Sequence, residues 1–242
     1  MKLKFLYGIS FAVVLLGACK KGTSDMEQAI KTDPLELLSD SISYTIDGVT
    51  AIQTRVEGAS SSIINTPANV KLDSLIKQKE YTSGDRDSVM FGRGFKFSDN
   101  KGQGIDVAFI KKYNKSEAQA ASRQTSLFIP LNTLDLFSVG KRNFALDYTR
   151  NNSQNGIVLE LKGTYYGLQT YGYSSFVNHQ LLSQDLQSGS KFEITNLQKL
   201  KSGKYILEAK FNASVYYGDG THAKKVENGY LRLKLNPEDI YF

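Results

Sequence analysis

The sequence predicts an all-β protein: a single antiparallel two-sheet sandwich, or an irregular barrel, with one or two short helices. Composition is the first reason, because the 14 tyrosines and 13 phenylalanines favour strands and the 20 glycines favour tight turns. The second reason is that several segments alternate apolar and polar residues, as half-buried antiparallel strands do. Long helices do not alternate with these segments, which argues against a parallel α/β sheet. Uneven loop lengths favour the sandwich over the barrel.

The N-terminus has the pattern of an export signal. Two lysines precede an apolar stretch over residues 5–16, which has the length of a signal peptide and falls short of the roughly 20 apolar residues of a transmembrane helix. The stretch ends in Leu15-Leu16-Gly17-Ala18-Cys19, and Cys19 is the only cysteine of the chain. This ending resembles the lipobox of bacterial lipoproteins, which implies cleavage before Cys19 and its acylation, for example with palmitate. A small buried cysteine is the alternative, but the residues that follow Cys19 are polar.

These features predict three parts of the chain. We expect residues 1–18 to be a lipoprotein signal peptide, 19–40 to be the acylated cysteine with a flexible tether, and 41–242 to be the β-sandwich domain. Because two or more acyl chains hold a protein firmly on a bilayer, the membrane is an expected partner. Lys20 is not the aspartate associated with inner-membrane retention, which favours anchoring to the outer membrane, on its periplasmic or its surface face.

The first half of the domain contains two predicted hairpins. Residues 43–46 and 49–56 flank Asp47-Gly48, a dipeptide that strongly favours a two-residue hairpin turn. Residues 89–97 and 105–113 both alternate apolar residues and flank a polar loop, which predicts a second hairpin with a longer connection.

Shorter segments predict local features. The apolar spacing of residues 72–80 predicts a short helix, and residues 133–137 form a second one with a threonine at its start. One helical turn, or a contact with the domain, is expected at 35–38. Residues 127–131 surround a proline and are therefore typical of an edge strand. The glycines of Gly92-Arg93-Gly94 indicate a β-bulge inside a strand.

The C-terminal part of the chain has the clearest strand patterns. Residues 144–148 and 157–161 flank a polar loop, and residues 191–197 and 205–217 carry apolar side chains mostly at alternating positions. In residues 230–235, leucines alternate with arginine and lysine, as in a half-buried antiparallel strand.

Six short phrases along residues 42–235 also carry a resemblance. In chain order they are Tyr44-Thr45-Ile46-Asp47-Gly48, Leu136-Phe137-Ser138-Val139-Gly140, Gly156-Ile157-Val158-Leu159, Phe192-Glu193-Ile194-Thr195, Phe211-Asn212 and Asn228-Gly229. Together these phrases resemble a family of Bacteroidetes lipoproteins with domains of unknown function. The resemblance implies a β-sandwich-like lipoprotein and carries over no catalytic residue.

Charge and residue spacing argue against several kinds of chemistry. The formal net charge is +6, but lysines and arginines are scattered among acids, so we expect no nucleic-acid partner. Acylation of Cys19 leaves no thiol for a disulfide or a thiolate site. His179 and His222 have no partners at metal-ligand spacing, so we expect neither a metal nor another cofactor.

Aromatic residues form the candidate ligand-binding region. They are Tyr165, Tyr166, Tyr171, Tyr173 and Phe176, and glycines separate them. Aromatic faces with polar tips suit sugar rings or a protein partner, and the glycines let a ligand approach the backbone. The alternative is a strand–turn–strand whose alternate aromatic residues fill the core.

Three functions follow from these observations. The leading hypothesis is an outer-membrane-anchored, non-catalytic module that binds a glycan or a protein at the cell envelope. The first alternative is an envelope polysaccharide hydrolase with paired carboxylates; Asp85 and Asp87 are the most closely spaced acids considered, although their surroundings are typical of a solvated turn. The second alternative is a structural subunit of an outer-membrane assembly.

Overall fold

Two antiparallel β-sheets form the body of the protein in the computed structural model, which describes residues 33–54, 56–121, 127–178 and 180–237. The predicted signal peptide and Cys19 lie outside these residues. The strands are β1 (Ser41–Ile46), β2 (Val49–Gln53), β3 (Val56–Pro67), β4 (Lys71–Ile76), β5 (Lys79–Ser83), β6 (Ser88–Ser98), β7 (Gly104–Asn114), β8 (Ala118–Ala120), β9 (Phe128–Pro130), β10 (Gly140–Arg142), β11 (Gly156–Lys162), β12 (Lys191–Lys199), β13 (Tyr205–Val215) and β14 (Lys224–Leu235). Short 3-10 helices cover Pro34–Leu37, Lys115–Glu117, Thr133–Phe137, Gly163–Tyr165 and Gln184–Gln187.

The strand order defines a sandwich. One sheet has six strands in the order β10-β12-β13-β14-β1-β2, and the other has four in the order β11-β7-β6-β3. Two further hairpin-like pairs, β4-β5 and β8-β9, stand apart from them. All of the strand pairs are antiparallel. The predicted all-β class is therefore confirmed, and the sheets remain open rather than closing into a barrel.

Aromatic rings join the two sheets across the core. Phe109 of β7 meets Phe192 of β12 with ring centroids 5.8 Å apart in an edge-to-face arrangement. Phe192 in turn stacks on Phe211 of β13 at 5.6 Å, and Phe137 lies 5.1 Å from Phe109. Such rings combine a large buried apolar area with a favourable mutual geometry. The 3-10 helix Thr133–Phe137 therefore belongs to the core through Phe137, and the predicted short helix there is confirmed.

The β6–β7 hairpin is the central element of the four-stranded sheet, as predicted. Its register runs without interruption from Ser88 opposite Asn114 to Ser98 opposite Gly104. The connecting loop is closed by Asp99, whose Oδ1 accepts hydrogen bonds from the backbone N–H groups two and four residues later at 2.8 and 2.9 Å. This local bonding explains why a polar loop turns the chain so regularly.

The bulge expected at residues 92–94 is wrong, because both neighbouring strands pair with this segment in continuous register. The glycine at 92 has a packing role instead. A Cβ at Gly92 would lie 2.5 Å from the carbonyl oxygen of Phe109 and 2.7 Å from Cγ2 of Ile110. A larger residue would therefore push β6 and β7 apart.

The four-stranded sheet is buried on both faces. Its inner face packs on the six-stranded sheet, and its outer face holds a second apolar cluster made of Ala68, Met90, Ala108, Ile110, Ala145, Val158 and Tyr171. The predicted strand at 144–148 is wrong: Phe144 forms one isolated parallel bridge with Ile157 of β11, and the chain then turns from residue 146.

The helix predicted for residues 72–80 is also wrong, because this segment forms the β4–β5 hairpin. Lys77 and Gln78 make its turn with φ values of 49° and 63°, as in a two-residue hairpin turn. The register shifts between Leu72 and Ser74, so Leu72 and Leu75 oppose Thr82 and Glu80 on one face. This irregularity gives a strand the three-residue apolar spacing that is typical of a helix.

The remaining short predictions agree with the structure. The 3-10 helix Pro34–Leu37 provides the expected turn, and Glu36 accepts hydrogen bonds from the backbone N–H and the Oγ of Ser202, both at 2.9 Å. The predicted edge strand is β9, which pairs with β8. Among the described residues, no helix has the length and apolar character needed to cross a bilayer.

Candidate functional site

The structure separates the five aromatic residues singled out from the sequence. Tyr171 is buried in the outer cluster, where its ring lies 5.1 Å from that of Tyr148 in an edge-to-face contact. Its hydroxyl donates to Oε2 of Glu160 at 3.1 Å. Burial, and then the negative charge of Glu160, raise the pKa of Tyr171. Tyr171 therefore acts as a structural side chain in this arrangement, as in the core-filling alternative.

Tyr165, Tyr166 and Tyr173 take three different positions. Tyr165 lies beside the turn between β1 and β2, where the Nζ of Lys224 stands 5.6 Å from its ring and also pairs with Asp47. Tyr166 is the most exposed of the set at 72%. Tyr173 packs its ring against Gly218, where a Cβ would lie only 2.7 Å from the ring. None of these three lines the cavity that holds Phe176.

Phe176 is the predicted residue that the structure places in a cavity. The cavity has a volume of about 310 Å³ and lies between the β4–β5 hairpin, the turn at 149–152 and the loop at 174–176. We call it the Phe176 cleft and define it by the side chains of Glu80, Thr82, Thr149, Arg150, Ser174 and Phe176. An aromatic ring, a guanidinium, a carboxylate and three hydroxyls thus converge on one space.

Arg150 is held against Phe176 by its charge and its hydrogen bonds. Its guanidinium carbon lies 5.3 Å from the centre of the Phe176 ring, within the range of a cation–π contact. Its two terminal nitrogens donate long hydrogen bonds, at 3.5 and 3.4 Å, to the carbonyl oxygens of Phe176 and Gln180. The Nε atom is buried and has no hydrogen-bond partner among the described residues. Each terminal nitrogen carries a second N–H, so the guanidinium retains donor capacity for a ligand.

Glu80 fixes the loop that carries Phe176. Its Oε1 accepts hydrogen bonds from the Oγ of Ser175 and from the backbone N–H groups of Phe176 and Val177, each at 2.9 Å. Desolvation raises the pKa of Glu80, but these hydrogen bonds and the charge of Arg150 outweigh it and bring the pKa below its usual range. Glu80 therefore stays ionised and joins the β4–β5 hairpin to the loop.

The turn at 149–152 forms the wall opposite the hairpin and holds unusual backbone conformations. Thr149 has φ 63° and Asn152 has φ 48°. The left-handed region is strained for a β-branched residue such as threonine. Asn152 offsets this strain, because its Oδ1 accepts from the Thr149 N–H at 3.0 Å and its Nδ2 donates to Thr66 and Pro67. Strained turns of this kind cluster at functional sites.

A second cavity of about 320 Å³ adjoins the cleft, because both are lined by Pro67 and Gly84. Gly84 is needed there, since a Cβ would lie 2.6 Å from that of Pro67. The second cavity is also lined by Lys115, whose Nζ lies 4.9 Å from the ring of Phe128. Asp85 also lines it and accepts a hydrogen bond from Asn69. Pro67 and Gly84 thus lie at the boundary between the two cavities.

The structure also brings two carboxylates together that sequence reasoning missed. Asp106 of β7 lies directly opposite Glu160 of β11 on the outer side of the four-stranded sheet. The Nζ of Lys162 lies 3.1 Å from Asp106 and 3.3 Å from Glu160. Desolvation raises the pKa of Asp106 despite this lysine. Each acid is isolated within an apolar strand, but their pairing depends on strand register, which the sequence leaves open.

Metal ligation finds no support in the described part of the chain. No group of three or more histidine, cysteine, aspartate and glutamate side chains there could hold an ion. His222 lies in an exposed turn beside Tyr217, with ring centroids 5.4 Å apart, whereas His179 lies outside the described residues.

Comparison of the chain with protein-family models, with curated proteins and with solved structures found no match. Its function is therefore inferred from its own residues and their geometry.

Proposed function

We propose that this protein is a non-catalytic glycan-binding module of the cell envelope, anchored to the outer membrane by acyl chains on Cys19. The observation that carries the proposal is the Phe176 cleft. There Phe176, Arg150 and Glu80 meet threonine and serine hydroxyls around about 310 Å³. This volume falls within the range of about 300–1,000 Å³ that is usual for small-ligand sites.

The side chains of the cleft match the chemistry of a sugar. A sugar ring presents C–H faces, which pack on an aromatic ring, and hydroxyls, which both donate and accept hydrogen bonds. Phe176 supplies the aromatic surface, and the terminal nitrogens of Arg150, each with a second N–H beyond its one long hydrogen bond, supply donors. Thr82, Thr149 and Ser174 add groups that donate and accept.

The predicted lipid anchor supports an envelope role. A globular domain on a short N-terminal tether stays at the membrane surface, where polysaccharides are present at high local concentration. Anchoring also raises the effective concentration of a weak binding site for glycans on the same surface.

The acids favour binding over hydrolysis. Glu80 is the one carboxylate among the described residues that line the cleft, whereas a glycosidase needs two carboxylates on either side of the bond. Its lowered pKa is opposite to that of a general acid, which must hold a proton near neutral pH. Asp106 and Glu160 are paired, but Lys162 bridges them and neutralises part of their charge.

A structural role is the second candidate, and the β4–β5 hairpin favours it. Ile76 and Tyr81 are 54% and 49% exposed on this hairpin, and Leu75 is 49% exposed. Exposed apolar side chains on a projecting element suit a protein partner. This function would make the hairpin, rather than the cleft, the contact surface.

A polysaccharide panel with the purified domain tests the proposal. The best glycan ligand is then titrated calorimetrically against the wild type, Phe176→Ala and Arg150→Gln, with Tyr166→Ala as a matched aromatic control outside the cleft. We expect each cleft variant to weaken binding about tenfold, as for the loss of one charged hydrogen bond or one aromatic contact. The control should bind like the wild type.

Two other results would point elsewhere. Release of reducing ends from the glycan that stops on Glu160→Gln would establish hydrolysis through the Asp106–Glu160 pair. The structural role would be favoured if no glycan binds and if an envelope protein that co-purifies with the wild type no longer does so with Tyr81→Ser. Protease digestion of intact cells, with and without opening of the outer membrane, would decide which face the domain occupies.

A further inference from the structure

A third cavity lies at a corner of the sandwich and shares no lining residue with the Phe176 cleft. Its volume is about 240 Å³. Residues of β7, β10 and β11 and of the 3-10 helix Thr133–Phe137 line it. Because β10 and β11 are edge strands of the two different sheets, the cavity sits where the sandwich opens to solvent.

The lining of this cavity carries an excess of positive charge. Lys111, Lys141 and Arg142 line it, and Asp135 is its one carboxylate among the described residues. We call these four side chains the cationic corner. The arrangement differs from an ordinary solvated surface, where charges of opposite sign are interspersed.

Arg142 is oriented by the protein without being neutralised. Its Nη2 donates to both the carbonyl oxygen and the Oγ of Ser138. Its Nε is buried and has no hydrogen-bond partner within the described ranges. A guanidinium held on one side in this way presents its remaining donors in a fixed direction, which is the geometry that recognises an oxyanion.

The two lysines of the cationic corner differ in their ion pairs with carboxylates. The Nζ of Lys111 pairs with Asp135 at 3.4 Å, and Asn132 occupies the other oxygen of that carboxylate. Lys141 lies in register with Glu193, but Lys191 is the lysine that pairs with this glutamate, at 2.5 Å. Lys141 and Arg142 thus form no ion pair with any described carboxylate at salt-bridge distance.

We propose that the cationic corner binds an oxyanion, either a free phosphate or sulfate ion or the acidic group of a larger ligand. Arg142 would donate through the guanidinium N–H groups that Ser138 does not occupy, Lys141 would add a second cation, and Lys111 would be shared between the anion and Asp135. Net positive charge inside a partly enclosed cavity interacts more strongly with an anion than the same charges in open water. This site is independent of the Phe176 cleft.

The direct test follows the Nε–H resonance of Arg142 by NMR while sodium sulfate replaces sodium chloride at constant ionic strength. We expect a saturable shift in the wild type and binding about tenfold weaker in Arg142→Gln, because a charged hydrogen bond is lost. Lys141→Gln should weaken binding about threefold, and backbone amides around the corner report binding in both variants. Lys199→Gln, an exposed lysine on β12, is the matched control and should leave the affinity unchanged.

Asp135→Asn separates anion binding from simple unfolding, because it should increase affinity. It keeps the shape of the side chain and removes the competing negative charge, so we expect binding about threefold tighter. Absence of a saturable shift, or equal affinity of the wild type, Arg142→Gln and Asp135→Asn, would overturn the proposal. A sulfated disaccharide that binds tenfold more tightly than sulfate would identify the acidic group of a larger ligand; equal affinities would identify the free ion.

Discussion

The two hairpins β6–β7 and β4–β5 are near neighbours along the chain and opposite in their surroundings. The first lies at the centre of a sheet and packs on both faces, with most of its residues buried. The second pairs only with itself, and every residue of β4 is exposed. One hairpin therefore provides the stability of the fold, whereas the other contributes a wall of the Phe176 cleft. The proposed binding site thus takes one of its walls from a hairpin that contributes little to the buried core.

The connection between the exposed hairpin and the body depends on few contacts. Glu80 is the clearest of them, with its three hydrogen bonds to the loop of Phe176. Elements with few buried contacts open locally at a small part of the global unfolding free energy. The cleft is thus expected to open and close without unfolding of the sandwich.

The largest effect is expected from Phe109→Ala in the central hairpin. Phe109 is 1% exposed and its ring contacts those of Phe95 on β6 and Phe192 on β12, so its removal should lower the unfolding free energy by about 3–5 kcal/mol. Tyr81→Ala in the exposed hairpin is the matched aromatic control and should change it by about 0.5 kcal/mol or less. Urea denaturation measures both. Equal losses in the two variants would break the contrast between the hairpins.

Glu80→Gln should affect the cleft rather than the fold. The neutral amide is a weaker acceptor for the three donors and no longer attracts Arg150, so we expect the glycan affinity to fall about tenfold. The urea midpoint should change little. Calorimetric titration measures the affinity and urea denaturation measures the midpoint, both on the same samples. A large shift of the midpoint with unchanged affinity would show that Glu80 acts on the fold and not on the cleft.

Acid should release the loop of Phe176 before it unfolds the sandwich. The pKa of Glu80 is lower in the folded than in the unfolded state. Its contribution is therefore complete above the ordinary glutamate pKa of about 4.3 and is lost as the pH falls through the lowered folded value. The amide resonances of Phe176 and Val177 should report this step in an NMR titration. In Glu80→Gln the step should be absent.

The smallest effect is expected at the turn of the exposed hairpin. Gln78 has φ 63°, a conformation that glycine adopts more easily. Gln78→Gly should stabilise the hairpin by about 0.5 kcal/mol, since relief of backbone strain is partly offset by chain entropy. Hydrogen exchange should slow for the amides of β4 and β5 and stay constant for those of β6. Faster exchange in β4 would argue against a strained turn.

The same contrast explains how far the sequence predicts the fold. In β6, β7 and β14 the alternation of apolar residues reflects real faces of a sheet, so strands and hairpin were predictable. In β4 the register irregularity at Leu72–Ser74 imitates helical spacing, and no local pattern distinguishes the two. The glycine at 92 likewise reflects the close approach of β6 and β7, which becomes visible only once the partner strand is known.

The candidate site was less predictable because its residues lie far apart along the chain. Phe176 stands out in an aromatic, glycine-rich segment, but the residues that make its surroundings do not. Arg150 lies 26 residues away in a polar turn, and Glu80 lies 96 residues away in the short strand β5, neither within any motif. Their meeting is a result of tertiary structure alone, as is the pairing of Asp106 with Glu160.

The 3-10 helix Pro34–Leu37 has a mechanical consequence. Ser202 donates two hydrogen bonds to Glu36, and Asp40 accepts one from the backbone N–H of Lys234 at 2.6 Å. Strand β1, which begins at Ser41, then lies in the six-stranded sheet between β14 and β2. A pulling force on an N-terminal tether would thus act first on the hydrogen bonds of Glu36 and Asp40. It would then pull β1 along the direction of the strand. The hydrogen bonds of β1 to β14 and β2 lie across this direction, so all of them would resist the force together instead of breaking one after another. A protein that grips a polymer while tied to a membrane would resist detachment best with its tether attached at such a strand.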